Sequence, residues 1–207
     1  MINIVLSLYD FNNEYCYKRM KYYLKPFSRV VILPFTHAEE YYEKEKLFDE
    51  LYHFDYGKDF NIIANSFRDY GIQKEDIYVL NPFNDSIEYM KEKIDKADVL
   101  FATGGSPLKF MEMVKELDLV EKLQNFNGIF IGSSAGAMVQ VNEFVIYNEG
   151  YEYSYHKGLG LLNEDIDVIV HFKFNLEHLE AMFRSYIERP SIQLITVKDG
   201  ECFILKN

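Results

Sequence analysis

In residues 130–138, Phe-Ile-Gly-Ser-Ser-Ala-Gly-Ala-Met, an apolar run leads straight into two serines set among small residues. Residues 132–136 satisfy G-x-S-x-G with Ser134 at the serine position. A serine raised on a sharp strand-to-helix turn exposes its hydroxyl. Small flanking residues let strand and helix approach, and the next backbone N–H, here that of Ala135, points at a developing oxyanion. A serine-rich turn without chemistry has the same composition, so this segment alone leaves both readings open. A nucleophilic serine also needs a base within hydrogen-bond reach. Among the five histidines, His171 follows the apolar run Asp167–Val170, 37 positions after Ser134. His37 lies beyond a Pro34-Phe35-Thr36 bend, and His53, His156 and His178 fall in helical or polar stretches. A third segment runs from Val99 to Thr103 into Gly104-Gly105 and then Ser106-Pro107. Adjacent glycines let a backbone approach a ligand and expose its N–H groups, which suit a negative charge. The segment is neither a Walker loop nor G-x-G-x-x-G.

The elements that must position these residues are legible as alternating short apolar runs and amphipathic stretches. Predicted strands are Ile2–Leu8, Arg29–Leu33, Asp76–Leu80, Val99–Thr103, Gly128–Gly132, Asp167–Val170 and Ile192–Val197. Predicted helices are Glu39–Phe54, Phe60–Tyr70 (closed by Gly71), Ser86–Lys96, Pro107–Glu116 and Leu176–Glu188. Continuous apolar strands alternating with helices imply an α/β fold with a mostly parallel central sheet covered on both faces. No repeat or linker divides the chain, so residues 1–207 are expected to form a single α/β domain. Such sheets bind ligands beyond the carboxyl ends of their strands. Ser134, His171 and the Gly104-Gly105 pair all lie there.

Composition narrows the function further. Hydrophobic residues make up 48% of the chain, enough for a substantial core. The net charge of −11 disfavours nucleic acid, and the short basic stretch Lys18-Arg19-Met20-Lys21 reads as the solvated face of a helix. No apolar run reaches membrane-span length, and the amino terminus lacks the pattern of a signal peptide. Cys16 and Cys202 stand outside any CxxC or His/Cys cluster, so a structural zinc site is not expected. Two free thiols fit a cytoplasmic setting.

Taken together, "TGGSPLKF", "GIFIGSSAGAM", "KGLGLL" at 157–162 and "VHF" at 170–172 resemble the dipeptidase E and cyanophycinase family of serine peptidases. The resemblance covers the chain from the first strand to about Gly200, in the order glycine pair, serine elbow, histidine. It implies a three-layer sandwich like the class I glutamine amidotransferases. It also implies a serine peptidase cleaving a small peptide or isopeptide amide, often beside aspartate, acting as a monomer or homodimer without a cofactor. Carried over, Ser134 is the nucleophile and His171 the general base. Gly105 and Ala135 supply the oxyanion N–H groups, and Gly104 and Ser106 line the substrate. No arginine reads as a carboxylate-binding residue, and Ser106-Pro107 departs from the Asn-Thr frequent in the family.

The acid that should orient His171 is the larger departure. Matching "ITVKDGECFIL" to the family's final strands puts Ser191 at the acid position, while a shifted match puts Asp199 there. Asp199-Gly200 between two apolar runs is also an ordinary hairpin turn, the reading favoured from sequence. Glu149, Glu177 and Glu188 are weaker substitutes. Ser191 in place of an acid would give a slow enzyme, or a degenerate relative that binds a small peptide or metabolite without cleaving it. An α/β-hydrolase esterase also carries G-x-S-x-G, but it would need its acid between Ser134 and His171, from Glu149, Glu152, Glu164, Asp165 or Asp167.

Overall fold

The computed structural model describes residues 1–36, 45–148, 152–162 and 165–206. Its centre is a six-stranded sheet of order β10-β1-β5-β4-β2-β3. The strands are β1 (Ile2–Leu6), β2 (Val30–Leu33), β3 (Ile77–Val79), β4 (Val99–Ala102), β5 (Ile129–Ser133) and β10 (Cys202–Lys206). β1, β5, β4, β2 and β3 run parallel, and β10 joins β1 antiparallel, with Leu6 opposite Cys202. Every residue of β2 and β4 is buried, the signature of strands covered on both sides.

One face packs against α1 (Glu14–Met20), α2 (Glu45–Tyr52) and α3 (Lys58–Arg68), through Met20, Phe48, Phe60 and Phe67 onto Ile4, Ile32, Phe101 and Ile131. The other packs against α4 (Ile87–Lys96), α5 (Pro107–Glu116), α6 (Val120–Gln124) and α7 (Ala135–Met138), through Met90, Phe110, Leu123 and Ala137 onto Val5, Leu33, Leu100 and Phe130. The result is the expected three-layer α/β sandwich. The local signals hold at several ends. Ser86 and Ser106 cap α4 and α5 by accepting the Tyr89 and Lys109 N–H groups. Pro107 sits in the first turn, where its missing N–H is no loss. Gly71 after α3 has the positive φ expected of a helix stop.

Three features differ from the sequence expectation. The run at 166–169 forms β8 (Ile166–Ile169), which pairs with β9 (Gln193–Thr196) in a separate two-stranded parallel sheet instead of extending the main one. A hairpin of β6 (Glu143–Asn148) and β7 (Glu152–Lys157) forms where no strands are predicted. Because β9 pairs with β8 and β10 with β1, Asp199-Gly200 joins two sheets and closes no hairpin ladder. The predicted helix Glu39–Phe54 is described only from Glu45, and residues 37–44, His37 among them, lie outside the described residues. Among the described residues no helix is long and apolar enough to cross a membrane, and no cluster of metal-ligating side chains occurs.

Candidate active site

Ser134 stands between β5 and α7 with φ 52° and ψ −115°. Such a backbone is strained for any residue with a Cβ, at about 1–3 kcal/mol. The surrounding structure enforces it. The Ser134 N–H donates to the Leu6 carbonyl at 2.8 Å, and the Gly136 N–H to the Thr103 carbonyl at 3.0 Å, so the elbow is pinned to β1 and to the end of β4. The small residues are required by contact: a Cβ on Gly132 would collide with the Gly136 carbonyl, and one on Gly136 with the Ala102 carbonyl. Ser133 is buried and its hydroxyl has no partner among the described residues.

His171 follows β8 and also has a positive φ, 52°. Its Nε2 lies 3.0 Å from Ser134 Oγ and its Nδ1 lies 2.6 Å from Asp199 Oδ1. A neutral imidazole protonated at Nδ1 donates to the carboxylate, leaving the Nε2 lone pair to accept the Ser134 hydroxyl proton. The pair is not sealed from solvent: the His171 and Asp199 side chains are 39% and 46% exposed.

Ser191 is not brought to His171. It is exposed in the turn before β9, at the opposite end of the β8–β9 ladder from His171, roughly 20 Å away at about 3.3 Å per strand residue. Asp199 stands where Ser191 was expected. Its position follows from the crossing between sheets, since the turn hands the chain from β9 to β10 beside the end of β1. The other acids lie elsewhere. Glu188 pairs with Arg184 at 2.7 Å and accepts the Tyr155 hydroxyl. Asp167 is buried in β8 against Arg189 at 2.5 Å; burial raises its pKa, and the guanidinium only partly offsets that. Glu177 lies in the first turn of α8 (Leu176–Glu188), and Glu149 and Glu164 lie outside the described residues.

The glycine pair closes the site. A side chain at Gly104 would come within 3.2 Å of the Ser134 Cβ, so this loop lies against the nucleophile candidate. Gly105 has φ +138°, and a Cβ there would collide with the Thr36 carbonyl. Among the described residues no acceptor takes the N–H of Gly105 or of Ala135. Ser106 faces the helix instead, as the cap of α5.

Three residues at this end of the sheet escaped the sequence reading. The Ser7 hydroxyl accepts the His171 N–H at 2.9 Å and donates to the Val197 carbonyl at 2.9 Å. The Tyr9 hydroxyl accepts the Gly104 N–H at 2.8 Å. The Thr36 hydroxyl donates to the Gly104 carbonyl at 2.5 Å. Their one sequence signal is position: each is polar and lies just past the end of an apolar strand. A separate cleft of about 480 Å³ opens between α4 and α6 at the amino ends of β4 and β5. It is lined by the Lys91–Asp118 and Lys122–Asp95 ion pairs and lies away from Ser134, so it is no rival site.

The sequence model of peptidase family S51 matches residues 56–207. Among solved structures, a candidate peptidase E protein from Listeria monocytogenes EGD-e superposes with a TM-score of 0.65 at 16% identity, covering 99% of this chain and 93% of that one. A peptidase from an acI-B1 Actinobacterium superposes with a TM-score of 0.65 at 14% identity, covering 99% of this chain and 83% of that one. No curated relative matches the chain in sequence. At these identities the structural likeness speaks for the fold, and the family match, over most of the length, for the lineage. The chain therefore belongs to peptidase family S51, the serine peptidases of the peptidase E type.

Proposed function

We propose that this peptidase cleaves a small peptide or isopeptide amide, with Ser134 as nucleophile, His171 as general base and Asp199 as the residue that orients the histidine and stabilises the charge it takes up during the reaction. The observation that carries the reading is the unbroken line from Ser134 Oγ to His171 Nε2 at 3.0 Å and from Nδ1 to Asp199 at 2.6 Å. Ser134 Oγ attacks the carbonyl carbon as His171 takes its proton. The carbonyl oxygen, now an anion, is met by the N–H groups of Gly105 and Ala135. His171 then protonates the leaving amine, and water repeats the sequence on the acyl-enzyme.

The order serine, histidine, acid along the chain argues against an α/β-hydrolase esterase, which runs serine, acid, histidine. A binding-only role was motivated by a serine at the acid position, and Asp199 beside His171 removes that motive. The partner in this reading is a small peptide alone, since a net charge of −11 repels nucleic acid. Cys16 and Cys202 are buried free thiols, the Cys16 thiol donating to the Gly200 carbonyl at 3.4 Å, and thiols kept in the reduced form fit a cytoplasmic setting. Replacing Ser134 by Ala is expected to abolish both peptide hydrolysis and covalent labelling by a fluorophosphonate. Unchanged hydrolysis in that variant would refute the proposal.

A further inference from the structure

Gly104 and Gly105 share one peptide unit, and it is gripped by side chains that take no part in the bond changes above. The Thr36 hydroxyl lies 2.5 Å from the Gly104 carbonyl oxygen and 2.8 Å from the Thr103 hydroxyl. A carbonyl only accepts, so the single Thr36 proton goes to Gly104, and the bond to Thr103 must be made with the Thr103 proton. Two other acceptors lie near Thr103, the Leu33 carbonyl at 3.5 Å and the Tyr9 hydroxyl, but only a Thr103 proton can make the bond to Thr36. The protons thus run one way, from Thr103 to Thr36 to the Gly104 carbonyl, and both threonines are fully buried. On the amino side, the Tyr9 hydroxyl accepts the Gly104 N–H at 2.8 Å. Burial, helped by the charge of Asp59, pushes the Tyr9 pKa up to about 12, so the phenol stays neutral. Tyr9 is itself anchored, its carbonyl taking the Ser66 hydroxyl at 2.8 Å and its ring set edge-on to Phe101. On the carboxyl side, the Ser106 N–H donates to the Thr36 carbonyl.

This grip matters because two glycines in a row have no Cβ to stop their shared peptide from turning over. In a planar trans peptide the C=O and the next N–H point in opposite directions. Tying the Gly104 carbonyl to Thr36 therefore sets the direction of the Gly105 N–H. If the unit turned over, a carbonyl oxygen would stand where the donor should be, and it would repel an oxyanion. A hydrogen bond accepted at the carbonyl also polarises the amide and strengthens its N–H as a donor. Gly105 N–H is left without a protein acceptor among the described residues, as a donor reserved for a ligand would be.

We propose that Thr36, backed by Thr103 and assisted by Tyr9, is a positioning residue that holds the Gly104–Gly105 peptide in the orientation that stabilises the oxyanion. The proposal rests on Ser134 being the nucleophile. Loss of one oxyanion donor lowers kcat by about 10²–10³-fold in a serine protease. Loss of the clamp leaves the donor present but unaimed part of the time, so a fall of about tenfold to a hundredfold is expected.

The test uses a fluorophosphonate, whose transfer to a serine passes through an anionic oxygen in the same place. Its second-order labelling rate is measured for the wild type and for Thr36→Val, Thr36→Ser, Tyr9→Phe and Ser134→Ala, together with each variant's Tm and the pH profile of labelling. Valine keeps the β-branched shape without the proton, and serine restores the proton. The expected result is slow labelling in Thr36→Val with the midpoint of the pH profile unmoved, recovery to within about threefold in Thr36→Ser, and a smaller loss in Tyr9→Phe. Wild-type speed in Thr36→Val overturns the proposal, and so does a Thr36→Ser variant as slow as the valine one. Should Thr36→Val fail to fold, undiminished labelling in Tyr9→Phe together with slow labelling in Thr36→Ser overturns it instead. A wild type that does not label, or a Ser134→Ala variant that labels equally fast, refutes the nucleophile itself, an outcome independent of any Thr36 variant.

Discussion

Replacing Asp199 by Asn removes one charge from the line behind Ser134 while keeping nearly the same shape. In the proposed reaction His171 becomes an imidazolium as it takes the Ser134 proton, and the Asp199 carboxylate, 2.6 Å from Nδ1, would stabilise that charge. Two unit charges about 4 Å apart attract by about 1 kcal/mol in water and about 4 kcal/mol at the effective dielectric of a protein surface. Both side chains are substantially open, at 39% and 46%, so solvent screens the pair and the upper figure must be discounted. A loss of about 1–3 kcal/mol corresponds to roughly 5- to 150-fold in rate. The amide adds a second effect. If its NH₂ faces Nδ1, the imidazole proton moves to Nε2, where it cannot accept from Ser134, and in an enclosed triad that change costs about 10⁴-fold. At this open site the amide can rotate to offer its oxygen, so Asp199→Asn is expected to lower the fluorophosphonate labelling rate by about tenfold to a thousandfold. Ser191→Ala, altering an exposed turn at the far end of β9, is expected to leave the rate unchanged. An Asp199→Asn variant within about twofold of wild type, or a larger loss from Ser191→Ala, would refute this reasoning.

Two further outcomes follow from the same geometry. Ser134→Gly relieves the backbone at φ 52° and is expected to melt above Ser134→Ala, by about 2–4 °C if about 1 kcal/mol of strain is released; calorimetry of the two inactive variants checks this, and equal Tm values would show that the elbow stores no strain. The Tyr9 pKa, raised from 10.0 to about 12, makes the folded state hold its proton where the unfolded chain has lost it. Stability from this group is therefore complete below about pH 10 and is lost as pH rises towards about 12. Ultraviolet titration of wild type minus Tyr9→Phe should show one phenol ionising near the upper value, and a difference step at 10.0 would contradict the burial argument.

The sheet was legible because burial on both faces leaves a simple mark, an unbroken apolar run. Val30–Leu33, Val99–Ala102 and Phe130–Ile131 carry it. The same mark could not say which strands share a sheet: Ile166–Ile169 is as buried as the central strands, and only its partner β9 shows that it forms a ladder of its own. The β6–β7 hairpin was hidden for the opposite reason. Phe144-Val145-Ile146-Tyr147 is an apolar run of strand type, but its partner Glu152–Lys157 is mostly polar, so neither half announces the other.

At the site, the proposed nucleophile and base stand out in the sequence because the chemistry proposed for them constrains their neighbours. Ser134 needs glycine at 132 and 136, since any side chain there meets a carbonyl, and those glycines are visible in the sequence. Asp199 carries no comparable mark. An aspartate before glycine is what any turn would choose, and Gly200 does hold φ +80°. Turn chemistry and triad chemistry ask for the same residue here, so type cannot separate them. What separates them is the partner of each flanking strand. A β9–β10 hairpin would leave Asp199 at a loop tip, whereas pairing β10 with β1 carries the turn across to the edge where β1 ends. That edge also supplies the Leu6 carbonyl for Ser134, the Ser7 hydroxyl for His171 and, two residues on, the Tyr9 hydroxyl for Gly104. The end of β1 thus touches Ser134, His171 and Gly104 while providing none of the atoms that react in the proposed mechanism. Substitutions there, at the buried polar Ser7 above all, should disturb the alignment of Ser134, His171 and the glycine pair together.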